Sequence, residues 1–516
     1  MILTLRRLAF LIVVLPILGS VRLMAFSNYE AEILTPKAPE TPRINGPKVY
    51  GARPGHPFLY RIPCTGIRPM RFSAKNLPAS LSLDENTGII SGQAPDKAGD
   101  YVVELTAKNG KGKISRPFKI VVGNELGLTP QMGWNDWYSY YGRVTDKDIR
   151  NAADTMITSG MADYGYQFVS IDDCWANKPD SSDPALNGPV RDAQGAILSN
   201  KRFPDMNALT QYIHAKGLKA GIYSSPGPLT CARFEGSYQH EQEDAHQFAK
   251  WGFDLLKYDW CSYRKIVKGT TLEDYQSPYR KMGDLVRGVD RDMVFNMCQY
   301  GQGDVWNWGK EVGGSSWRTT GDLGLAKDGQ LPGFYSIGFT NAAHAQNAGP
   351  GGWNDPDYIL IGKVGNAHHI EAPAQATPLT PNEQYSYMSM WSLMAAPLFF
   401  SGEMADLDPF TLNVLCNAEV IDIDQDTLGK QGNIIRKTDD EFILAKPLED
   451  GSMAIGLFNL SSTPRTISIR WADLNVKGSR QKVRDVWRQR NLGSHRDSFS
   501  SQVPSHGVAL LKLTAE

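Results

Sequence analysis

The sequence predicts a multidomain chain: a (β/α)8 TIM barrel flanked by an N-terminal β-sandwich and a C-terminal antiparallel β-sandwich. Three observations carry that expectation. Across residues 125–410 apolar strand-like runs alternate with helical stretches, the pattern of βα units around a parallel sheet. On either side, over 43–123 and 415–516, the runs shorten and are punctuated by Gly, Pro, Asn and Asp. The 516 residues, 41% of them apolar, suffice for several separate cores.

The N-terminus reads as an export signal. Arg6 and Arg7 precede the apolar run Leu8–Leu18, which Pro16 interrupts and which is too short to span a bilayer; Ala25 is a candidate cleavage-site residue. A signal peptide over 1–25 implies a secreted or periplasmic protein with no membrane span after its removal; a retained anchor is the alternative. Residues 26–42 carry Pro36, Pro39 and Pro42 without periodicity, as a linker does.

Within 43–123, Phe58–Ile62, Ile89–Ser91, Tyr101–Ala107 and Phe118–Val122 read as strands of a small antiparallel sandwich. Leu77-Pro78-Ala79-Ser80-Leu81-Ser82-Leu83-Asp84, followed by Thr87-Gly88-Ile89-Ile90-Ser91-Gly92, resembles the immunoglobulin-like modules of bacterial surface and secreted proteins. The single Cys64 excludes the internal disulfide of antibody domains. No catalytic constellation lies here, so a spacer or a weak binding module is the expected role.

Eight barrel strands are expected at Gln131–Asp136, Tyr166–Asp172, Lys219–Ser224, Leu255–Trp260, Met293–Cys298, Ser315–Thr319, Gly351–Asn354 and Pro397–Ser401. Helices at Asp146–Ser159, Met206–Lys216, Gln242–Trp251 and Tyr387–Ala395 lie between them. Polar residues stand where most strands end: Asp136, Asp172, Asp173, Ser225, Asp259, Gln299, Asp322 and Asp355. In a barrel of this kind that end is the active-site face. Beyond 415, Asn433–Arg436, Phe442–Pro447, Met453–Asn459, Thr466–Trp471, Val483–Trp487 and Val508–Leu513 read as strands of the C-terminal sandwich.

Composition narrows the partners. Lys and Arg total 54 against 55 Asp and Glu, so no basic excess is available for phosphates, and nucleic acid is not an expected partner. The 12 Trp and 21 Tyr offer stacking surfaces that suit sugars, though aromatic residues also serve as core. Six cysteines are too few for a disulfide scaffold and none has zinc spacing, so neither a metal nor another cofactor is expected.

Three segments carry chemistry. In Leu255-Leu256-Lys257-Tyr258-Asp259-Trp260-Cys261, Lys257 and Asp259 are two apart on a strand and face the same way. A cation beside a carboxylate favours the ionised form that a nucleophile needs; a structural ion pair is the plainer reading. Trp317-Arg318-Thr319-Thr320-Gly321-Asp322 brings a second carboxylate from another strand end, where Asp322 alone would pass for a loop residue. Two carboxylates around one pocket are the minimal equipment for glycoside hydrolysis. In Ser170-Ile171-Asp172-Asp173-Cys174-Trp175, adjacent carboxylates need a cation, a metal or ligand hydroxyls, and sugar hydroxyls are the economical choice. Asp357, in Asn354-Asp355-Pro356-Asp357, is a fourth contributor or an Asp-Pro turn.

Those segments, with Pro130-Gln131-Met132-Gly133-Trp134-Asn135-Asp136-Trp137, Gly217-Leu218-Lys219-Ala220-Gly221-Ile222-Tyr223 and Gly351-Gly352-Trp353-Asn354-Asp355-Pro356-Asp357, resemble glycoside hydrolase family 27, the melibiase-type α-galactosidases and α-N-acetylgalactosaminidases. The six motifs run in the family's order over the whole barrel. The resemblance implies that Asp259 is the nucleophile and Asp322 the acid/base of a retaining α-galactosidase acting on terminal α-linked galactose. It further implies that Asp172 and Asp173 hold O4 and O6, Lys257 O3 and O4, and Arg318 the O2 side, with Trp137 stacked on the sugar. Tyr223, Cys298 and Tyr358 join the substrate-binding set, and Cys231 with Cys261 matches a family disulfide beside the nucleophile. Cys174 and Cys298 lack their usual partners.

Departures bear on specificity. Trp260 adds bulk after the nucleophile, Ser224-Ser225 follow Tyr223 without the usual acid, Gln299 stands where many members have Glu, and Tyr358 replaces a common Met. β-L-Arabinopyranosidase, isomaltodextranase and α-N-acetylgalactosaminidase activities are alternatives on the same scaffold; a non-catalytic carbohydrate-binding protein is the alternative outside it.

Overall fold

The computed structural model describes residues 32–267, 271–325, 327–328, 331–365 and 374–516. The expected signal peptide at 1–25 lies outside them. Among the described residues no helix is long and apolar enough to cross a membrane.

Eight short strands form one parallel sheet: β1 (Met132–Asn135), β2 (Phe168–Ser170), β3 (Lys219–Ser224), β4 (Leu255–Asp259), β5 (Val294–Cys298), β6 (Ser316–Arg318), β7 (Trp353–Asp355) and β8 (Leu398–Phe400). Each pairs with its successor as far as β7, and β8 pairs with β1. The ring closes through Ile359, just beyond β7, whose N–H donates to the Phe399 carbonyl (2.7 Å) and whose carbonyl accepts from the Ser401 N–H (3.1 Å). Strands enclosed on both faces read as continuous apolar runs rather than alternating ones; all six residues of β3 are buried.

The helices start and stop where local chemistry dictates. Capping boxes open α1 (Asp146–Thr158), through Thr145 and Asp148, and α4 (Leu272–Gly288), through Thr271 and Asp274. Asp205 caps α2 (Met206–His214), and Gly252, at φ 96°, ends α3 (Glu241–Trp251). A 3-10 turn, Val305–Asn307, takes the place of a helix between β5 and β6. The helices α5 (Phe334–Ala342) and α6 (Pro381–Leu393) complete the shell.

Every residue of α6 from Glu383 to Leu393 is buried, because the C-terminal sandwich covers its outer side. Trp487 donates from Nε1 to Ser389 Oγ (2.8 Å), and His506 meets Glu383 at 2.8 Å. The sandwich has six antiparallel strands in one sheet and two, Arg465–Arg470 and Ser498–Val503, in the other. Two of its strands, Arg490–Arg496 and Ser498–Val503, were not among those expected. Both are polar and half-exposed, so they show no apolar alternation.

The N-terminal module packs a four-stranded sheet on a three-stranded one. Its sheet is not purely antiparallel: Val49–Ala52 pairs parallel to Gly112–Val122. The stretch before it is bonded to the barrel side, with Thr35 N–H donating to Asn413 Oδ1 (2.7 Å) and Leu34 N–H to the Tyr385 hydroxyl (3.1 Å). Arg53 is buried at the junction; it pairs with Asp292 (2.9 Å) and donates to the carbonyls of Val286, Arg287 and Arg291. Lys219, the first residue of β3, reaches the Tyr50 ring (5.1 Å). Asp292 and Lys219 stand where β5 and β3 begin, so the module covers the base of the barrel. Removing a partner from such a buried pair leaves an unmet charge. Arg53→Ala is therefore expected to cost about 3 kcal/mol in urea unfolding, and an unchanged midpoint would show that the clamp carries no stability.

Candidate active site

Strand alternation decides which side chains reach the mouth. On β4, Leu255, Lys257 and Asp259 point inward, whereas Tyr258 and Trp260 point out toward α4. Trp260 stacks on Tyr279 (6.2 Å between centroids) and meets Tyr263 and Tyr275. It is core, which corrects the expectation that it adds bulk beside Asp259.

Asp259 is buried, and each of its oxygens accepts a phenol hydrogen bond: Oδ2 from Tyr223 (3.0 Å) and Oδ1 from Tyr300 (2.5 Å). Burial pushes its carboxyl above the usual range, while Lys257 and the Tyr300 hydroxyl pull it back. Asp322 stands in contrast on the rim, its side chain 54% exposed and 3.3 Å from Arg318.

At the end of β2, Asp172 Oδ2 accepts from Lys257 Nζ (2.8 Å), Asn135 Nδ2 (2.9 Å) and the Tyr358 hydroxyl (3.1 Å). Its N–H donates to Asp136 Oδ1 (2.6 Å). Asp173 Oδ1 accepts from the Cys174 N–H (2.7 Å) and Oδ2 from the Ala232 N–H (2.8 Å); burial nonetheless pushes its carboxyl up to about 7. Burial likewise drives Asp136 well upward, aided by the Asp172 charge.

Arg318, at the end of β6, pairs with Asp357 (2.9 Å) and lies 3.6 Å from Cys298 Sγ. Asp357 is thereby the buried counter-ion of Arg318 rather than a turn residue alone, with burial raising its carboxyl to about 6. Trp137 is half-buried and tilted against Tyr141 (4.5 Å between centroids). Gln299 is buried and neither of its amide atoms has a hydrogen-bond partner.

Cys231 and Cys261 form a disulfide, with Cα atoms 4.8 Å apart. Its sulfurs lie 3.1 Å from the Tyr223 hydroxyl and 3.8 Å from that of Tyr300. The bridge thus borders both donors to Asp259, and its sulfurs, being bonded to each other, are not thiolate ligands for a metal.

Lys257, Asp172 and Tyr358 form one bonded group, Asp259 and Tyr223 a second that the Lys257 ammonium adjoins over the Tyr223 ring (5.1 Å), and Asp322, Arg318 and Cys298 a third. Asp173 joins the first through Asp172, whose Oδ1 accepts its N–H (3.0 Å). Sequence reasoning gave no role to Tyr300, Asn135 or Asp136, although it placed Asp136 at a strand end on the active-site face. Asn135 and Asp136 sit at the end of β1, a position that was itself a signal, whereas nothing in the sequence aims the Tyr300 hydroxyl at Asp259. Cys64, Cys174, Cys298 and Cys416 are buried and unbridged. Thiol titration in denaturant without reductant should find these four; a count of two would mean a further bridge.

With this geometry in place, the relatives are informative. A family model described as "Alpha galactosidase A" matches residues 129–426, one for the α-galactosidase C-terminal β-sandwich matches 439–513, and an Ig-domain model matches 41–123. An α-galactosidase of Cyamopsis tetragonoloba is 36% identical over 395 residues, 76% of this chain and 87% of its own. The solved α-galactosidase I of Mortierella vinacea is 30% identical with a TM-score of 0.68, covering 77% of this chain and 99% of that one. A solved Bacteroides fragilis chain, 34% identical with a TM-score of 0.83, covers 94% of this chain and 99% of its own. The chain belongs to the melibiase-type α-galactosidase family, glycoside hydrolase family 27.

Proposed function

We propose that this protein is a retaining α-galactosidase that removes terminal α-linked galactose from oligo- or polysaccharides outside the cytoplasm. The observation that carries the reading is the contrast between two carboxylates at one barrel mouth. Asp259 is buried and held by two hydroxyls beside Lys257; Asp322 stands on the solvent rim beside Arg318.

That contrast supports a division of roles. Asp259, oriented and water-poor, attacks the anomeric carbon. Asp322, in contact with solvent, gives its proton to the departing glycosidic oxygen. A covalent galactosyl–Asp259 ester results; Asp322 then takes a proton from water as that water attacks the same carbon and frees Asp259. Lys257 bridges the nucleophile and the sugar-holding acids, so one cation serves both.

Asp172 and Asp173 supply the discrimination. In galactose the axial O4 and the O6 lie on one side of the ring, within reach of two adjacent carboxylates. Equatorial O4 in glucose leaves one buried carboxylate without a partner, at a cost of roughly 1.5–3 kcal/mol. Trp137, Tyr223, Cys298, Arg318 and Tyr358 line the remainder of the proposed sugar site.

On nitrophenyl glycosides, α-galactoside hydrolysis is expected to be at least roughly tenfold faster than α-glucoside hydrolysis, with Asp172→Ala narrowing the gap. A preference for β-L-arabinopyranosides would overturn the galactose reading and leave the retaining mechanism standing. Asp259→Asn should abolish turnover while galactose still binds in calorimetry; wild-type rates in that variant would remove Asp259 as nucleophile.

A further inference from the structure

The two hydroxyls on Asp259 come from unlike settings. Tyr223 lies within β3, fully buried and paired in register with Lys257. Tyr300 stands two residues beyond β5 in a turn, at φ 65°, a left-handed conformation uncommon for a residue with a side chain. The turn is held closely: the Gly301 N–H donates to the Arg318 carbonyl (3.0 Å), and a Cβ on Gly301 would come within 2.4 Å of the Thr319 carbonyl oxygen. The Arg318 guanidinium lies over the Tyr300 ring (5.9 Å), and Cys231 Sγ borders its hydroxyl. All these restraints deliver a single polar atom to Asp259 Oδ1.

We propose that Tyr300 is a positioning residue for the nucleophile: its hydroxyl, opposite that of Tyr223, fixes the plane of the Asp259 carboxylate and favours its ionised form. The inference rests on Asp259 being the nucleophile. With a donor on each oxygen the carboxylate cannot rotate about its Cβ–Cγ bond without losing one of them. Charged and titratable groups face Asp259 from several sides: Lys257 on β4, Asp172 at the end of β2, Tyr223 on β3, Cys298 and Tyr300 at the end of β5, Asp322 beyond β6, and Tyr279 on α4. Lys257 and the Tyr300 hydroxyl favour the anion, whereas burial, Asp322 and Asp172 oppose it. Tyr300 is thus one of few groups whose removal shifts this balance without deleting a charge.

The test is the pH dependence of kcat/KM, on nitrophenyl α-galactoside or whichever glycoside the wild type cleaves, for wild type, Tyr300→Phe and protein carrying 3-fluorotyrosine at position 300. The acid limb of kcat/KM reports the free enzyme's base or nucleophile, here Asp259. Losing a donor to the charged form should move that limb up by roughly one pH unit and lower kcat by roughly tenfold. The fluorinated phenol, a stronger donor of nearly the same shape, should move it down. Shifts in those two directions support the proposal. An unmoved limb in either protein overturns it, and the fluorinated protein decides alone if the Phe variant does not fold. Failure of the galactose reading would show separately, in which glycoside the wild type cleaves; absence of any glycosidase turnover would remove both.

Discussion

Lys257 is the charge on which the pocket depends. Its ammonium sits 2.8 Å from Asp172 and beside Asp259, between the faces of Tyr223 and Tyr358. Four carboxylates, Asp136, Asp172, Asp173 and Asp259, are buried around it. Ionised acids removed from water are costly unless a cation or several donors replace the lost solvation. The pocket meets that demand unevenly. Asp172 receives the ammonium and two further donors on one oxygen, whereas Asp173 has two backbone N–H groups and the Thr230 side chain, and Asp136 has one oxygen without a partner among the described residues. Burial accordingly raises Asp173 and Asp136. Arg318 repeats the arrangement on the other side with Asp357. In the proposed function, the hydroxyl donors of a sugar complete a site whose acids outnumber its cations.

The rest of the molecule keeps these groups in place from a distance. The N-terminal module grips the starts of β3 and β5, whereas the chemistry lies at the strands' opposite ends. Placed there, it is bonded to the barrel's base, at the far ends of the strands from Asp259 and Asp322. The C-terminal sandwich covers α6, whose Tyr387 and Trp391 donate to the carbonyls of Tyr358 and Asp357. That contact links the outer domain to the segment carrying the Arg318 counter-ion.

Much of this was legible in the sequence because its signals are local. Lys219–Ser224 shows as a strand with its true limits, since the run Ala220-Gly221-Ile222-Tyr223 stands between Lys219 and Ser224, the strand's own first and last residues. Lys257 and Asp259 declare their common face by spacing alone. The polar outer strands Arg490–Arg496 and Ser498–Val503 are held by pairing to their neighbours, which leaves no periodicity to read. Trp260 misled because its neighbour in sequence is the proposed nucleophile; alternation places consecutive residues on opposite faces, and bulk at one says nothing of space at the other. Tyr300 was hidden for a different reason. Its role depends on a left-handed turn and a close approach at Gly301, neither of which the types of its neighbours specify.

The Cys231–Cys261 bridge joins the part of the site proposed to hold the sugar to the part proposed to attack it. Cys261 follows β4 two residues after Asp259, and Cys231 belongs to the loop that leaves β3 after Ser224. The crosslink brings that loop over the pocket, so the next N–H along, Ala232, falls on Asp173 Oδ2. Its sulfurs meanwhile border the Tyr223 and Tyr300 hydroxyls. A displacement of this loop would therefore act on two functions together, loosening the donor to Asp173 and the packing against both tyrosines. In the proposed mechanism recognition and nucleophile orientation are thereby coupled through one covalent bond, one hydrogen bond to Asp173 and two sulfur–hydroxyl contacts, which makes the loop after β3 as much a part of that machinery as the carboxylates themselves.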